Sequence, residues 1–389
     1  MVAALSDVSV TAATKRFVPE HFDAVVRLDG GRWPKTIDPE RVKQVIAGSD
    51  VGVVSADALA DQGNIPSRNE AKTSLLRRDK FWMGESLARK NIPHTRQVAC
   101  SSSKELARWW SEQAIEKVVL KPRMSMASDL ISICDSRSTA MAMADAMFQT
   151  QDVFGNKNTS ILAQEFIEGA EYMLDTVSLD GVHHVVAIWS SHRSRSATPL
   201  PDYAQSLDAG DPCYFSLVNY GRRVLDALGV RYGPAHTEFI VHPTRGPLLV
   251  EINARCHGAL SLNFSTEIYG TNQVMETARS VAVPDDFRRT PIEVSTQRML
   301  GRKVYLRSDI DAKIVNTIDC SSLLAIDGVL SVDYRVRVGG DLTKTTSLST
   351  SPGTVFVVAA DARELEAAHR KIREEESGVL RRAVLHGDL

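Results

Sequence analysis

The chain has 389 residues, of which 43% are hydrophobic and 24% charged, with a formal net charge of −2 at pH 7. That length fits two or three lobes around a shared core, and so even a charge balance provides no field to gather a polyanion, which excludes nucleic acid as an expected partner. No apolar run approaches the roughly eighteen residues needed to span a bilayer. The N-terminus also lacks the charged, apolar and small-residue order of a secretion signal, so the expected location is the cytoplasm. Cys100, Cys134, Cys213, Cys256 and Cys320 are odd in number, far apart and without a Cys-x-x-Cys pair, which argues against a disulfide frame or a zinc site.

Near the N-terminus, Asp23 to Arg27 and Asp50 to Ser55 read as short β-runs, with a helical stretch from about Pro39 between them. The opening residues are only weakly strand-like, so an abbreviated α/β lobe without a clear first strand is expected. From Asn69 to Lys90 apolar residues recur at three-to-four spacing until Asn91-Ile-Pro93 stops the helix, and Ser102 or Ser103 caps another that carries Trp109 and Trp110. Val118 to Pro122 and Leu130 to Cys134 read as a hairpin, Thr139 to Met147 as a helix, and Ile161 to Ile167 as a strand. Tyr172 to Trp189 reads as a hairpin turning at Asp180-Gly181. Ser190 to Asp211, rich in Ser, Arg, Pro and Asp, reads as a mobile loop over a site. The residues after Val283 alternate short strands with glycine turns and finish in a charged helix near Ala362 to Glu376.

Thr237 to His242 and Leu248 to Asn253 are two β-runs joined by Pro243-Thr-Arg-Gly-Pro247. A period of two puts Leu249, Glu251 and Asn253 on one face. Glu238 and Glu251 within such apolar strands call for a cation, and two glutamates with an Asn oxygen suit magnesium. Exposed strand ends paired with arginine fit the two glutamates equally well, and Arg255, following on the face of Glu251, favours the cation site because a guanidinium there can neutralise a phosphoryl group. Lys121 emerges from a buried strand beside a polar turn with hydroxyls at Ser125 and Ser128. It can bind phosphate as a point charge or be an ordinary surface lysine. Taken singly, Lys80 reads as a solvated helix charge and Gln164 to Glu171 as a strand-to-loop transition.

The order of these features carries more than each one does: a lysine before a helix, a lysine ending a strand, an acidic-aromatic-aliphatic linker, then Glu and Glu-x-Asn on paired strands. From about residue 50 to the C-terminal lobe, the chain resembles the ATP-grasp superfamily, and more closely its L-amino acid ligase (dipeptide synthetase) branch. The His-Thr-Glu-Phe run from His236 and the Glu-Ile-Asn-Ala-Arg-x-His-Gly run from Glu251 are the most specific part. The resemblance implies an α/β and α+β ATP-grasp fold. It has an N-terminal open α/β lobe over residues 1–75 and an ATP-grasp region over 76–285, with its small ATP-binding subdomain at about 115–170. A C-terminal catalytic lobe over 286–389 completes the ligase.

It also implies roles. Lys80 and Lys121 would contact the ATP phosphates with help from Ser125 and Ser128, and Lys121 would reach the adenine as well. The linker at Glu165, Phe166 and Ile167 would meet the adenine edge, chiefly through backbone groups of Glu165 and Ile167, and Glu171 would hold the ribose. Glu238, Glu251 and Asn253 would bind two Mg2+ ions, with Mn2+ able to substitute. Arg255 and Lys121 would be catalytic, Arg255 facing an acyl phosphate. His236, His257, Gly258 and Arg255 would border the substrate pocket, although simple packing fits His236 as well. Arg193 and Arg195 are either a grip for a substrate carboxylate or solvated loop charges.

The implied reaction joins two amino acids by an amide bond through an acyl phosphate, releasing ADP and phosphate. Amino acids, as small-molecule substrates, are then the partners, with neither nucleic acid nor membrane, and a homodimer is the expected assembly. The rivals are a ligase of this fold acting on another carboxylate and a nucleotide-binding scaffold that has lost catalysis. One departure from the family pattern bears on the last: Arg123 to Leu130 contains no glycine, where close backbone approach to phosphate normally uses it.

Overall fold

The computed structural model describes residues 1–5, 18–124, 130–152, 155–194, 200–258, 261–293 and 297–384. The N-terminal lobe has the first strand it was expected to lack: β1 (Val2–Leu5) pairs in parallel with β2 (Ala24–Arg27). Four small and aliphatic residues are too few to display a period, which is why the run reads weakly. Asp50 to Ser55 is not a strand. Asp50–Gly52 is a 3-10 turn leading into a helix over Val53–Gln62, where Val53, Ala56, Leu59 and Ala60 are buried at helical spacing and outweigh the β-branched Val53-Val54 pair. The helix expected from Pro39 is a single 3-10 turn, Pro39–Arg41, capped by Asp38.

The predicted helices after Asn69 form as a 3-10 segment, Ala71–Arg77, and an α-helix, Lys80–Arg89, with the Asp79 carboxylate accepting from the Phe81 N–H as its cap. Four strands follow, β3 (Gln97–Cys100), β4 (Val118–Pro122), β5 (Ser132–Cys134) and β6 (Ile161–Glu165), in an antiparallel sheet ordered β3-β6-β4-β5. Ser102 and Ser136 cap the helices Ser103–Glu112 and Arg137–Phe148. The helices close one face of the sheet over Leu106, Trp110, Val118, Leu120, Ala140 and Ala144. Since Val118 and Leu120 point to these helices, alternation turns Lys121 to the other face.

The remaining large element is one antiparallel sheet of eight strands. Its strands are drawn from β7 (Ala170–Leu179), β8 (Val182–Arg193), β9 (Pro201–Ser206), β10 (Gly233–His242), β11 (Gly246–Asn253), β12 (Leu300–Tyr305), β14 (Val329–Tyr334) and β16 (Gly353–Ala359), ordered β11-β10-β7-β8-β9-β12-β16-β14. The short β13 (Ala312–Lys313) and β15 (Asp341–Leu342) pair separately. The β7–β8 turn forms because Asp180 and Gly181 both take positive φ, 55° and 83°. The loop expected from Ser190 to Asp211 is largely sheet: β8 runs on to Arg193 and Pro201–Ser206 pairs with it as β9. Polar composition hid these strands because Asp202 and Gln205 pack against Arg302, His369 and Arg373, and Ser190 against His192. Arg195 lies outside the described residues.

On one face, the helix Tyr214–Ala227 packs Leu217, Val218 and Val224 against Leu174, Ile188, Phe239 and Ile252. Gly221 permits this approach, since a Cβ there would lie 2.4 Å from Leu174. On the other face, the helix Leu262–Tyr269 covers Trp189, Phe356 and Val358. The charged C-terminal helix runs further than expected, over Ala362–Val384, and lays Leu365, Ile372 and Val379 on Val304, Val355 and Val357. Among the described residues no helix is long and apolar enough to cross a membrane.

Arg77, fully buried, ties the N-terminal lobe to this framework: Nη2 lies 2.8 Å from Asp57 and Nη1 donates to the Leu228 carbonyl at 2.8 Å. Arg77→Met leaves the Asp57 carboxylate buried without its cation and should lower the unfolding free energy by about 3–5 kcal/mol. Urea denaturation measures it; a loss under about 1 kcal/mol, the range of an exposed pair, would contradict the structural role.

Candidate active site

Register brings the two glutamates together. Glu238 of β10 lies opposite Glu251 of β11, and His236 lies opposite Asn253. The strict alternation expected along β11 is broken by a bulge just beyond the Glu238 row, where Glu238 pairs with Glu251 but Phe239 with Leu249. Leu249 therefore turns into the core with Ile252, while Glu251 and Asn253 stay together on the opposite face. Bulges beside sites re-aim side chains in this way, and a fixed period of two cannot register them.

Like charges directly opposite each other repel, and the structure sets a cation beside them. Lys80 Nζ is 2.7 Å from Glu251, and Asn253 Nδ2 donates to the same carboxylate at 3.1 Å. Lys80 arrives there because its helix is anchored: Arg123 grips the capping Asp79 at 2.6 Å and accepts the Lys80 N–H on its own carbonyl at 3.0 Å. Burial opposes the charge on Glu251, yet the Lys80 ammonium and the Asn253 hydrogen bond outweigh it and hold the carboxyl well below its usual range. Lys121 is 6% exposed and has no ion pair among the described residues. Its burial, reinforced by Lys80, pushes its pKa down to about 8. Arg78, also buried, lies in the field of Asp50, Glu251, Asp152 and Asp79.

A second cluster adjoins the first on the same face. Asp175, in the middle of β7, is fully buried and accepts from His236 Nδ1 at 2.7 Å, Trp189 Nε1 at 2.9 Å and His257 Nδ1 at 3.1 Å. Three donors satisfy a carboxylate that burial would otherwise neutralise. Burial opposes charge on His236 too, but Asp175 on one nitrogen and Glu238 on the other, at 3.3 Å, raise its pKa to about 9. For His257, burial and the neighbouring His236 dominate and push it down to about 3. The two rings, with centroids 4.0 Å apart, thus carry one positive charge between them at neutral pH. The ligand atoms of Asp175, His236 and His257 lie within 4.8 Å of one another, but a doubly hydrogen-bonded His236 acts as a donor and not as a metal ligand. Gln273 locates His257 by accepting its N–H at 2.7 Å.

Arg255 does not point freely into the site. Nε and Nη2 bind Asp50 at 2.6 and 3.0 Å and Nη1 the Cys256 carbonyl at 2.8 Å, which leaves part of its five-donor fork for a ligand. In the linker, the Glu165 carboxylate is held by Arg96 and, at 2.8 Å, by Arg245. The backbone N–H groups of Glu165 and Phe166 donate to Arg96 and Lys117 carbonyls, both at 2.9 Å. Among the described residues the Ile167 N–H has no acceptor. Glu171 pairs with Arg193 at 3.1 Å in an exposed position. Gly258 is exposed, and a Cβ there would meet Arg255 only at ordinary contact distance, 3.7 Å. Ser125 and Ser128 lie outside the described residues.

The donor set around Glu238 fits a hard divalent cation: two carboxylates face each other across a strand pair, and the Asn253 side chain is beside them. Lys80, Lys121 and Arg78 surround that set with positive charge suited to phosphate oxygens. Sequence reasoning missed Asp175, Asp50 and Arg78. Asp175 did leave a signal, a lone carboxylate inside the alternating run Tyr172 to Leu179. Asp50 and Arg78 left none, because their partners are remote in the chain.

Residues 115–263 match the family model of the ATP-grasp domain. Over 345 residues the chain is 28% identical to dapdiamide A synthase of Enterobacter agglomerans, spanning 88% of this chain and 81% of that protein. The structure is similar to that of an L-amino acid ligase from Bacillus licheniformis, with a TM-score of 0.74 at 16% identity over 96% of this chain and 97% of the other. It is also similar to N5-carboxyaminoimidazole ribonucleotide synthetase from Thermus thermophilus, with a TM-score of 0.64 at 14% identity over 96% and 98%. The shared fold is the ATP-grasp architecture, mixed α/β and α+β.

His236 gains its proton affinity from folding, so its contribution to stability is complete below its ordinary pKa of 6.5 and disappears as pH rises through about 9. The difference in melting temperature between the wild type and His236→Gln should therefore shrink from pH 6.5 to above pH 9. A difference that stays constant across this window would contradict the charged His236.

Proposed function

We propose that this chain, whose residues 115–263 match the ATP-grasp domain, is an ATP-dependent ligase that joins the carboxylate of one amino acid to the amine of another. The observation that carries this reading is the Glu238–Glu251 row with Lys80 2.7 Å from Glu251 and, beside it, the buried Lys121, which has no ion pair among the described residues. A site that only bound a nucleotide would have no use for two opposed carboxylates within reach of these cations.

Carboxylates are poor electrophiles until one oxygen carries a leaving group. The proposed route is phosphoryl transfer from ATP to form an acyl phosphate, attack by the amine, and release of ADP and phosphate. Magnesium at Glu238, Glu251 and Asn253 would supply charge neutralisation for the phosphates. The chain's own residues supply positioning and charge. Lys80 and Lys121 hold phosphate oxygens, and the linker from Glu165 to Ile167 borders the adenine, with Glu171 at the ribose. Asp50 orients the Arg255 guanidinium so that its remaining N–H groups face the oxyanion that forms at the acyl carbon. His236, fixed by Asp175, keeps a positive charge beside Glu238, and His257 stays neutral next to it. The likeness to dapdiamide A synthase supports amino acid substrates.

The test is phosphate release from ATP and magnesium across a panel of L-amino acid pairs, with the peptide product identified by mass. Glu251→Ala should keep the far-UV circular dichroism of the wild type and lose turnover by at least about a hundredfold. Unchanged turnover in that variant would sink the metal role, and ATP binding without amine-dependent phosphate release for any pair would favour a scaffold.

A further inference from the structure

Lys303 is a buried cation that the proposed reaction leaves unused. It sits in β12 between Ala204 of β9 and Phe356 of β16, with 3% of its surface exposed. Register fixes its direction. Its neighbours Arg302 and Val304 face the Ala362–Val384 helix, Arg302 through Glu366 at 2.9 Å and Val304 in the core beneath that helix. Lys303 therefore points to the opposite face. Its row continues through Ala204, Ser191 and Glu171, and the row two residues along each strand holds Trp189, Met173 and Glu238. This is the face that carries Asp175, His236 and His257.

Among the described residues, the Lys303 ammonium has no hydrogen bond and no ion pair; Nζ lies 5.3 Å from the centroid of the Tyr305 ring. Its surroundings are apolar. Phe356 is its strand partner and packs against Phe264, and Gly301 lets the Leu262–Tyr269 helix come so close that a Cβ would lie 2.0 Å from Ile268. An ammonium withdrawn from water without an anion opposes folding, and burial, with Arg335 nearby, holds its pKa down to about 7. Asp175, Asp333 and Glu238 pull the other way, and Lys303 in turn disfavours charge on His257. The ammonium thus feels the site although three strands separate β10 from β12, as a twisted, curled sheet allows.

In the sheet order Glu251 lies on the edge strand β11 with Lys80 2.7 Å away, Glu238 on β10, Asp175 on β7 and Lys303 on β12, so Lys80 and Lys303 bound this face from opposite ends. A carboxylate undergoing phosphorylation must lie on the Lys80 side. The amine then approaches from the Asp175 side, and a carboxylate attached to the amine-bearing molecule falls towards Lys303. We propose that Lys303 binds the free carboxylate of the amine-donating amino acid, so that this site selects acceptors whose carboxylate is unblocked. The proposal rests on the ligase reading above.

The experiment compares acceptor amino acids with their carboxamides in the wild-type full chain, Lys303→Met and Lys303→Arg. The wild type should prefer the acid by at least about tenfold in kcat/KM. Lys303→Met should raise KM for the acid about ten- to a hundredfold and erase the preference, with KM for ATP and for the acyl donor within about twofold of the wild type. Lys303→Arg should restore part of it. An unchanged preference in Lys303→Met, or a rise confined to the acyl donor, overturns the proposal. A second measurement is independent of turnover. Because the ammonium is unpaired, Lys303→Met should raise the melting temperature of the unliganded chain, and a lower one overturns the proposal. A wild type that releases no phosphate with any amino acid pair counts against the ligase reading, and the melting temperature then decides Lys303.

Discussion

Charges drawn out of water must find their partners, and in this chain four consecutive ones do so in different directions. Arg77 reaches Asp57 in the N-terminal lobe, Asp79 meets Arg123 at the end of the small sheet, Lys80 meets Glu251 on the large sheet, and Arg78 lies in the field of both Asp50 and Glu251. Breaking any of these leaves a buried charge uncompensated, which is far more costly than losing an exposed pair. The arrangement of the lobes and the position of the Lys80 ammonium are therefore set by the same short segment. A shift of the small sheet would move Arg123, and with it the cap of the helix that presents Lys80.

The site is a balance of opposed charges that is incomplete without ligands. Glu238 and Glu251 face each other, with Lys80 paired to Glu251 and Lys121 in the field of both. Next to them, Asp175 spends its acceptor capacity on three rigid donors, and that fixes which imidazole carries the charge. Asp50 does for Arg255 what Asp175 does for His236, orienting a cation from a distant segment. Preorganisation of this kind lets charge develop in a reaction without the surrounding dipoles having to turn.

Much of this was legible in the sequence, and the exceptions have physical causes. Hairpins, a capped helix and the Glu and Glu-x-Asn strands announced themselves through local rules: Asp180-Gly181 at a turn, Ser102 at a helix start, and the paired β-runs from Thr237 and Leu248. The segment from Asp50 misled because its first residues are β-branched, and the helix is decided further on by Ala56, Leu59 and Ala60. The polar stretch after Ser190 misled because Asp202 and Gln205 serve Arg302, His369 and Arg373, and strands so engaged lose the apolar alternation that reveals them. At the site, Lys80, Glu238 and Glu251, singled out by their own chemistry, are brought together by the fold. Those that act through a partner, Asp50 for Arg255 or Gln273 for His257, could not be picked out, since the pairing spans 205 and 16 positions. The bulge opposite Glu238 belongs to the same class: it is a property of two strands together.

The large sheet also imposes an order on synthesis. Its strands do not lie side by side in the sequence in which they are made, because β16 is inserted between β12 and β14. While a ribosome is still producing the chain, β7 to β11 can assemble, but β12 has only β9 to pair with and β14 has no neighbour at all. The exposed edge of β12 must wait until Gly353–Ala359 emerges from the exit tunnel. Until then the nascent protein presents an open strand edge in the middle of what will become its main sheet, which makes the interval between synthesis of β12 and of β16 the one in which chaperone contact counts most.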